Sequence, residues 1–178
     1  MELVSIDAIG PFPVDEFGNQ YIISMIDCFS IFIELIPCKD TTALIAARCL
    51  LQWVGCYGCP SQLRSDNGTQ FVNSIITELL YLIGSEHQLI TPYSHEENGI
   101  IERGNKETLR HLKNIMFSKN VISNFSMFLP LVQRIMNANV HSAIGVSPAQ
   151  LLFGNAVHLE THLLLPTMGK CKNTNSTF

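Results

Sequence analysis

Three acidic side chains occupy positions from which a carboxylate can do chemistry: Asp7, Asp66 and Glu102. Asp7 lies in a short apolar run, residues 3–9, where Ser5 and Ile9 share its face of an extended chain and Val4, Ile6 and Ala8 make the other face apolar. Asp66 follows the run 62–65 and opens Asp66-Asn-Gly68, a turn sequence. Glu102 falls in the first turn or so of a helix expected over 99–118, where the positive end of the helix dipole favours an anion. Carboxylates at strand ends and a helix start can converge at one edge of a sheet. There they could hold two divalent cations about 3.5–4 Å apart, the arrangement suited to in-line phosphoryl displacement. All-oxygen donors of this kind select Mg²⁺ or Mn²⁺ over zinc. Taken singly, each acid also has an ordinary reading as a turn, a cap or a solvated face, and only position and spacing together outweigh it. Glu96 and Glu97 are rivals to Glu102, but they precede the expected helix.

The helix that carries Glu102 sorts cleanly at 100° per residue. Asn105, Lys106, Arg110 and Lys113 fall within about 80° of Glu102, whereas Ile101, Gly104, Thr108, Leu112 and Ile115 fall in a separate sector roughly 200–280° round. One side is therefore expected to be buried, and the other to present a carboxylate, an amide and three cations, a stripe suited to a DNA backbone. The same stripe also reads as an ordinary solvated face. Leu109 interrupts the polar side.

Elements must position these groups. Runs 3–9, 21–26 and 31–36, rich in Ile, Val, Phe and Tyr and separated by Pro11-Phe-Pro13 and Gly18-Asn19, read as an antiparallel meander. Asp40-Thr-Thr opens a helix over 40–54, closed by Gly55, Gly58 and Pro60. A strand over 62–65 precedes the Asp66 turn, Asn73 caps a helix ending at Gly84, and 87–91 forms another strand halted by Pro92. Helices over 99–118 and 123–140 follow, and Ser147-Pro148 caps a last short helix that stops at Gly154. The fold class is thus α/β, a five-stranded mixed sheet flanked by helices. Residues 1–160 read as one domain and 161–178 as a poorly ordered tail.

Composition narrows the classes. A chain of 178 residues, 47% hydrophobic and 15% charged, is globular rather than disordered. Mean hydropathy is +0.22, yet Asp27 and Glu34 interrupt the first apolar region and Arg48 and Gln52 the second, so no membrane span is expected. Met1-Glu2-Leu3 lacks the basic start of a secretory leader. The expected location is therefore intracellular, in the nucleus where DNA is the target. Six cysteines read as free thiols. Cys56 with Cys59 and His158 with His162 have metal-pair spacing, but neither pair has partners to complete a tetrahedral site. The net charge of −4 opposes simple nucleic-acid binding. The basic stripe answers that locally, and two divalent cations would offset the formal charge.

Three segments, in order, resemble one family. Ile6-Asp7-Ala-Ile-Gly-Pro11-Phe-Pro13, Arg64-Ser-Asp66-Asn-Gly-Thr-Gln-Phe71 and Pro92-Tyr-Ser-His-Glu-Glu-Asn98-Gly-Ile-Ile-Glu102-Arg-Gly-Asn105-Lys106-Glu107 are similar to the three acidic motifs of retroviral and gypsy-class retrotransposon integrases. Between Asp66 and Glu102 lie 35 residues (102 − 66 − 1), the family's D,D(35)E separation. Asp27-Cys-Phe-Ser30 and Gly145-Val-Ser-Pro-Ala-Gln-Leu-Leu-Phe-Gly154 also resemble gypsy-class elements, so the likeness covers roughly residues 2–157.

The resemblance implies an RNase H-like fold with Asp7, Asp66 and Glu102 as catalytic residues and as metal ligands for two Mg²⁺ or Mn²⁺ ions. It implies cleavage near an element's DNA 3′ end, then attack of the freed hydroxyl on target DNA. Tyr93, Asn98, Asn105 and Lys106 match positions that touch DNA, and the helix wheel adds Arg110 and Lys113. The implied partners are retroelement ends, target DNA and further copies of the chain, in a homodimer or higher oligomer. Self-association is expected through the segments 40–54 and 123–140, and no membrane partner is expected. The family's His-His-Cys-Cys zinc domain and carboxy-terminal DNA-binding domain are not expected among these residues. Three positions depart from the family pattern. Ser5 stands where an aromatic or His is usual, Cys28 where Arg is common, and Gly104 where Ala is common. Two other readings stay open: a catalytically silent relict or domesticated fragment that binds DNA or protein, and a different RNase H-like transposase or nuclease.

Overall fold

The computed structural model describes residues 1–90, 95–118, 124–141 and 145–154, with the side chains of 95–98 and 118 outside that description. Strands β1 (Leu3–Ile9), β2 (Tyr21–Asp27) and β3 (Ile33–Cys38) form the expected meander, β1 and β3 each antiparallel to β2. The chain then alternates: α1 (Ala43–Tyr57), β4 (Gln62–Ser65), α2 (Ser74–Ile83), β5 (Glu86–Leu89), α3 (His95–Ser118), α4 (Phe125–Ala138) and α5 (Pro148–Phe153). β4 joins β1 in parallel and β5 joins β4 in parallel, giving the order β3-β2-β1-β4-β5. β1 is therefore the central strand.

The strands alternate faces, so each side of the sheet needs its own cover. Val4, Ile6, Ile23, Met25 and Leu63 pack under α1 and α2 with Leu50, Trp53, Ile76 and Leu80. Ile9, Ile22, Ile26, Ile33 and Leu35 pack under α3 and α4 with Ile101, Leu112, Phe125, Leu129 and Val132. The helix wheel holds: Ile101, Gly104, Thr108 and Leu112 of α3 are buried and Ile115 is half-buried, while Glu102, Lys106, Arg110 and Lys113 are exposed. Leu109, unexplained by sequence, is a half-buried contact at the margin of the second core.

Boundaries moved for local reasons. β3 starts at Ile33 rather than 31 because the tight turn after Asp27 holds Ile31 at φ 61°, outside any strand conformation. α1 starts at Ala43 because Asp40 Oδ1 accepts from the Thr42 N–H (3.0 Å) and hydroxyl (2.8 Å), an Asx turn that delays the helix. It also runs past Gly55 to Tyr57. β5 spans 86–89 rather than 87–91, and α4 spans 125–138 rather than 123–140. The larger correction is α3, which begins at His95 and not at Gly99. Glu102 is thus two turns into the helix, beyond the reach of its dipole end, and Glu96 and Glu97 lie in the helix rather than before it. Asn73 and Ser147 cap as expected: Asn73 Oδ1 accepts from Ile76 N at 3.0 Å, and Ser147 forms a reciprocal capping box with Gln150. Tyr93 and residues 155–178, with His158, His162 and the tail, lie outside the described residues.

The free edge of β3 is closed by α4 side chains. Asn137 Oδ1 accepts from Ile33 N (2.9 Å) while its Nδ2 donates to Ile33 O (2.8 Å), and Gln133 Oε1 accepts from Leu35 N (2.8 Å). An unpaired strand edge is a template for unwanted pairing, and two amides occupy this one. Asn137→Ala would orphan two buried backbone groups. It is expected to lower the free energy of unfolding by about 2–3 kcal/mol in urea denaturation, against a few tenths for an exposed site such as Asn114.

Gly104 has a specific reason to be glycine. A Cβ at this position would overlap Ile26 Cδ1 of β2, which is fully buried. The helix-propensity gain of Ala, about 1 kcal/mol, is outweighed by the overpacking cost of roughly 1–3 kcal/mol. Gly104→Ala alone should therefore destabilise. Combined with Ile26→Val, which deletes the methyl in the way, it should recover most of the loss, a non-additivity readable in a denaturation double-mutant cycle.

Candidate active site

Asp7 lies two residues from the end of the central strand. Just beyond it the chain must turn at Gly10, whose φ is 138° and where a Cβ would meet Gln20 O at 2.8 Å, so only glycine fits. Across the sheet Asp7 pairs with Ser24 of β2. On the other side β1 and β4 run in register from Leu3 beside Gln62 to Ser5 beside Arg64. Carried two residues further, that register would set Asp66, just past the end of β4, level with Asp7. Asp66 itself is exposed, and its Oδ1 accepts from Gly68 N at 2.9 Å, which shapes the turn. Ser65, fully buried, stiffens the base of that turn, donating to Asp66 O at 2.9 Å and bonding His87 Nε2 at 2.9 Å. α3 crosses over β1 and β2, and Asn105 reaches down: its Nδ2 donates to Asp7 Oδ2 at 2.8 Å. Glu102 lies one turn earlier on the same side of α3.

The electrostatics of Asp7 record this gathering. Burial pushes its carboxyl up to about 6, against the usual 3.8. The Ala8 N–H, 2.7 Å from Oδ1, pulls it down. The negative charges of Asp66 and Glu102 push it up again, and the Asn105 amide pulls it down. The three expected acids therefore share one electrostatic neighbourhood. Among the described residues no three acidic, imidazole or thiol side chains converge tightly enough, in this conformation, to grip one ion. The donor set nonetheless fits a hard divalent cation: three carboxylates, the central one destabilised by burial and by the charge of the other two.

The remaining expected residues divide. Asn105 faces the acids and bonds both Asp7 and Ser24, whose hydroxyl donates to its Oδ1 at 2.7 Å. Lys106, Arg110 and Lys113 are exposed along α3; Arg110 shares Glu107, with Nη2 donating to Oε2 at 2.7 Å and Nε at 2.9 Å. Asn98 lies on α3 with its side chain outside the described residues, as is Tyr93 altogether. Cys56 and Cys59 are exposed free thiols. Ser24 was missed by sequence reading. The available signal was a hydroxyl at an inward position between two isoleucines, Ile22 and Ile26. Two of the three departures from the family pattern also meet: Ser5 Oγ and Cys28 Sγ are 3.3 Å apart. The pair lies beside β1, with Ser5 buried and Cys28 half-buried.

A five-stranded mixed sheet with acids on its central strand, after the adjoining parallel strand and on a crossing helix defines an RNase H-like fold. Solved structures share it. The HTLV-2 integrase catalytic core domain, in complex with magnesium, matches with a TM-score of 0.71 at 17% identity over 85% of this chain and 95% of that one. The integrase catalytic core domain of BIV matches at 0.69 and 22% identity over 85% and 93%, and a simian T-cell lymphotropic virus intasome chain at 0.76 and 20% over 99% and 60%. The chain belongs to the integrase core domain family, whose model matches residues 1–95. Among curated relatives, the Gag-Pol polyprotein of feline leukemia virus is 33% identical over 142 residues, covering 78% of this chain. The retrovirus-related Pol polyprotein from transposon 412 of Drosophila melanogaster is 24% identical over 160 residues, covering 89%. The chain spans only 8% and 13% of those two polyproteins.

A carboxyl that titrates near 6 when folded and near 3.8 when unfolded costs the fold nothing below the lower value and its full amount above the higher one. Asp7→Asn removes that charge. In chelator-treated protein it should raise stability above about pH 6.5 by about 1–2 kcal/mol, less than the roughly 3 kcal/mol the whole gap would give, because an amide keeps only one acceptor oxygen. The gain should shrink as pH falls through 6 and be absent near pH 4. A difference flat in pH, read by thermal unfolding, would remove Asp7 from the strained position assigned here.

Proposed function

We propose that this chain is the catalytic core of a retroelement integrase, a metal-dependent polynucleotidyl transferase acting on DNA through Asp7, Asp66 and Glu102. The observation that carries the reading is the placement of Asp7: a carboxyl on the central strand, gripped by Asn105 and raised by burial and then by the charges of the two other acids. Magnesium on the HTLV-2 core supports a divalent ion, and the two-ion form is the arrangement suited to cutting and joining phosphodiesters. Asp7, Asp66 and Glu102 would hold the ions. When bound, these supply Lewis-acid polarisation of phosphoryl oxygen and offset the negative charge of the site. Asn105 keeps Asp7 in place, and Lys106, Lys113 and, in part, Arg110 line a track one helix face wide for backbone phosphates. The substrates on this reading are retroelement 3′ ends and target DNA, met in the nucleus.

Oligomeric assembly belongs to the same reading. HTLV-2 core in a trimeric form and an intasome are among the structural matches. On α1, Leu44 and Leu51 lie exposed seven residues apart on one face, whereas α4 spends Phe125, Leu129 and Val132 on its own core. The 123–140 segment in turn exposes Met127 and Val140, so each expected segment has two large apolar side chains to give.

One observation favours a rival, a core that keeps the fold and has lost ion binding: the acids do not converge tightly among the described residues. Phosphodiester transfer on a branched DNA substrate decides. With Mn²⁺ or Mg²⁺ the wild type should form product, and Asp66→Asn and Glu102→Gln should each lower the rate on the order of a thousandfold, the several kcal/mol a metal site supplies. Calorimetric titration that detects no ion in wild type or Asp66→Asn would establish the silent core instead.

A further inference from the structure

We propose that Ser24 is a positioning residue of this site, holding the Asn105 amide in the one orientation that supports Asp7. Its effect on reaction rests on the integrase reading; its hold on Asn105 does not.

Inward positions of β2 alternate Ile22, Ser24 and Ile26, and both isoleucines belong to the core under α3 and α4. Ser24 is fully buried among them. A hydroxyl in such a place is costly unless it is bonded. Its Oγ lies 2.7 Å from Asn105 Oδ1 and 3.5 Å from Asp7 O, so the amide oxygen is the effective acceptor. An asparagine amide can sit two ways, and its two ends have opposite roles. Turned one way, Nδ2 donates to Asp7 Oδ2, as it does at 2.8 Å. Turned the other way, Oδ1 would face a carboxylate oxygen, acceptor against acceptor. The Asp7 carboxylate, which can only accept, selects the first, and the serine hydroxyl locks it by donating its proton to Oδ1. Asp7 pairs with Ser24 across β1 and β2, so strand register, hydroxyl and amide form one relay from β2 through α3 to the acid. The chain of donors uses one amide N–H on Asp7 and leaves the second for another acceptor, which reconciles Asn105 as a support with the DNA contact expected of it.

The test uses the full chain, metal-free, with ¹⁵N-labelled side-chain amides and the Asn105 pair assigned through Asn105→Ala. Ser24→Ala should move that pair and speed its solvent exchange about tenfold, the worth of one hydrogen bond, with the backbone spectrum retained. Ser24→Thr, which restores the hydroxyl, should return both to wild-type values. In the branched-DNA assay Ser24→Ala should lower kcat about tenfold with KM unchanged, and Ser24→Thr should recover it. An Asn105 amide pair indifferent to Ser24→Ala, or displaced equally by Ala and Thr, overturns the proposal. Asp66→Asn run alongside separates the two readings: if it leaves transfer intact, the site assignment fails while the amide spectra still decide the relay.

Discussion

A carboxylate on the central strand of a sheet, with a helix lying over it, is held against two opposing tendencies. Burial disfavours its charge, and two further acids nearby disfavour it again. Donors restrain it: the next residue's own N–H, and an amide brought in from the crossing helix. Much of the architecture serves that placement. β1 must be central so that β2 can bring Ser24 on one side and β4 can deliver Asp66 on the other. β4 must be parallel to β1 so that its carboxy-terminal end, where the Asp66 turn begins, falls beside the end of β1 that carries Asp7. α3 must then cross close over β1 and β2.

What could be read from the sequence was whatever has a local cause. Strand runs with turn residues between them fixed the meander, and side-chain caps at Asn73 and Ser147 fixed two helix starts because a cap bonds within three residues. The sorting of α3 into buried and exposed faces survived a four-residue error in its start, since helical phase does not depend on where counting begins. That start was misjudged because Pro92 and Gly99 look like punctuation, whereas the helix begins at His95. Edge closure by Asn137 and Gln133 was invisible, because residues about 100 positions from their partners carry no local signal. Ser24 was visible only as an anomaly.

The departures from the family pattern look different once they are placed in space. Ser5 and Cys28, remote in sequence, touch each other, so these two departures fall at one place in the fold. Ser5 shares the face of β1 that carries Asp7 and pairs with Ile26 of β2, the side chain beneath Gly104, so this pair adjoins the packing on which α3 rests.

Gly104 completes the argument, because it sits next to Asn105. Measured only by helix propensity it is a defect of about 1 kcal/mol. In the fold it is the point where α3 comes down on Ile26 with no Cβ between them. The approach that Gly104 permits to β2 is the same approach that lets Asn105, one residue on, reach Ser24 of β2 and Asp7 of β1 together. A bulkier residue that lifted the helix by even half an ångström would stretch two bonds of 2.7 and 2.8 Å at once. The isoleucine beneath, the glycine above it and the asparagine beside it therefore act as one spacing device, and the helix propensity given up at Gly104 is the cost of holding the central acid in place.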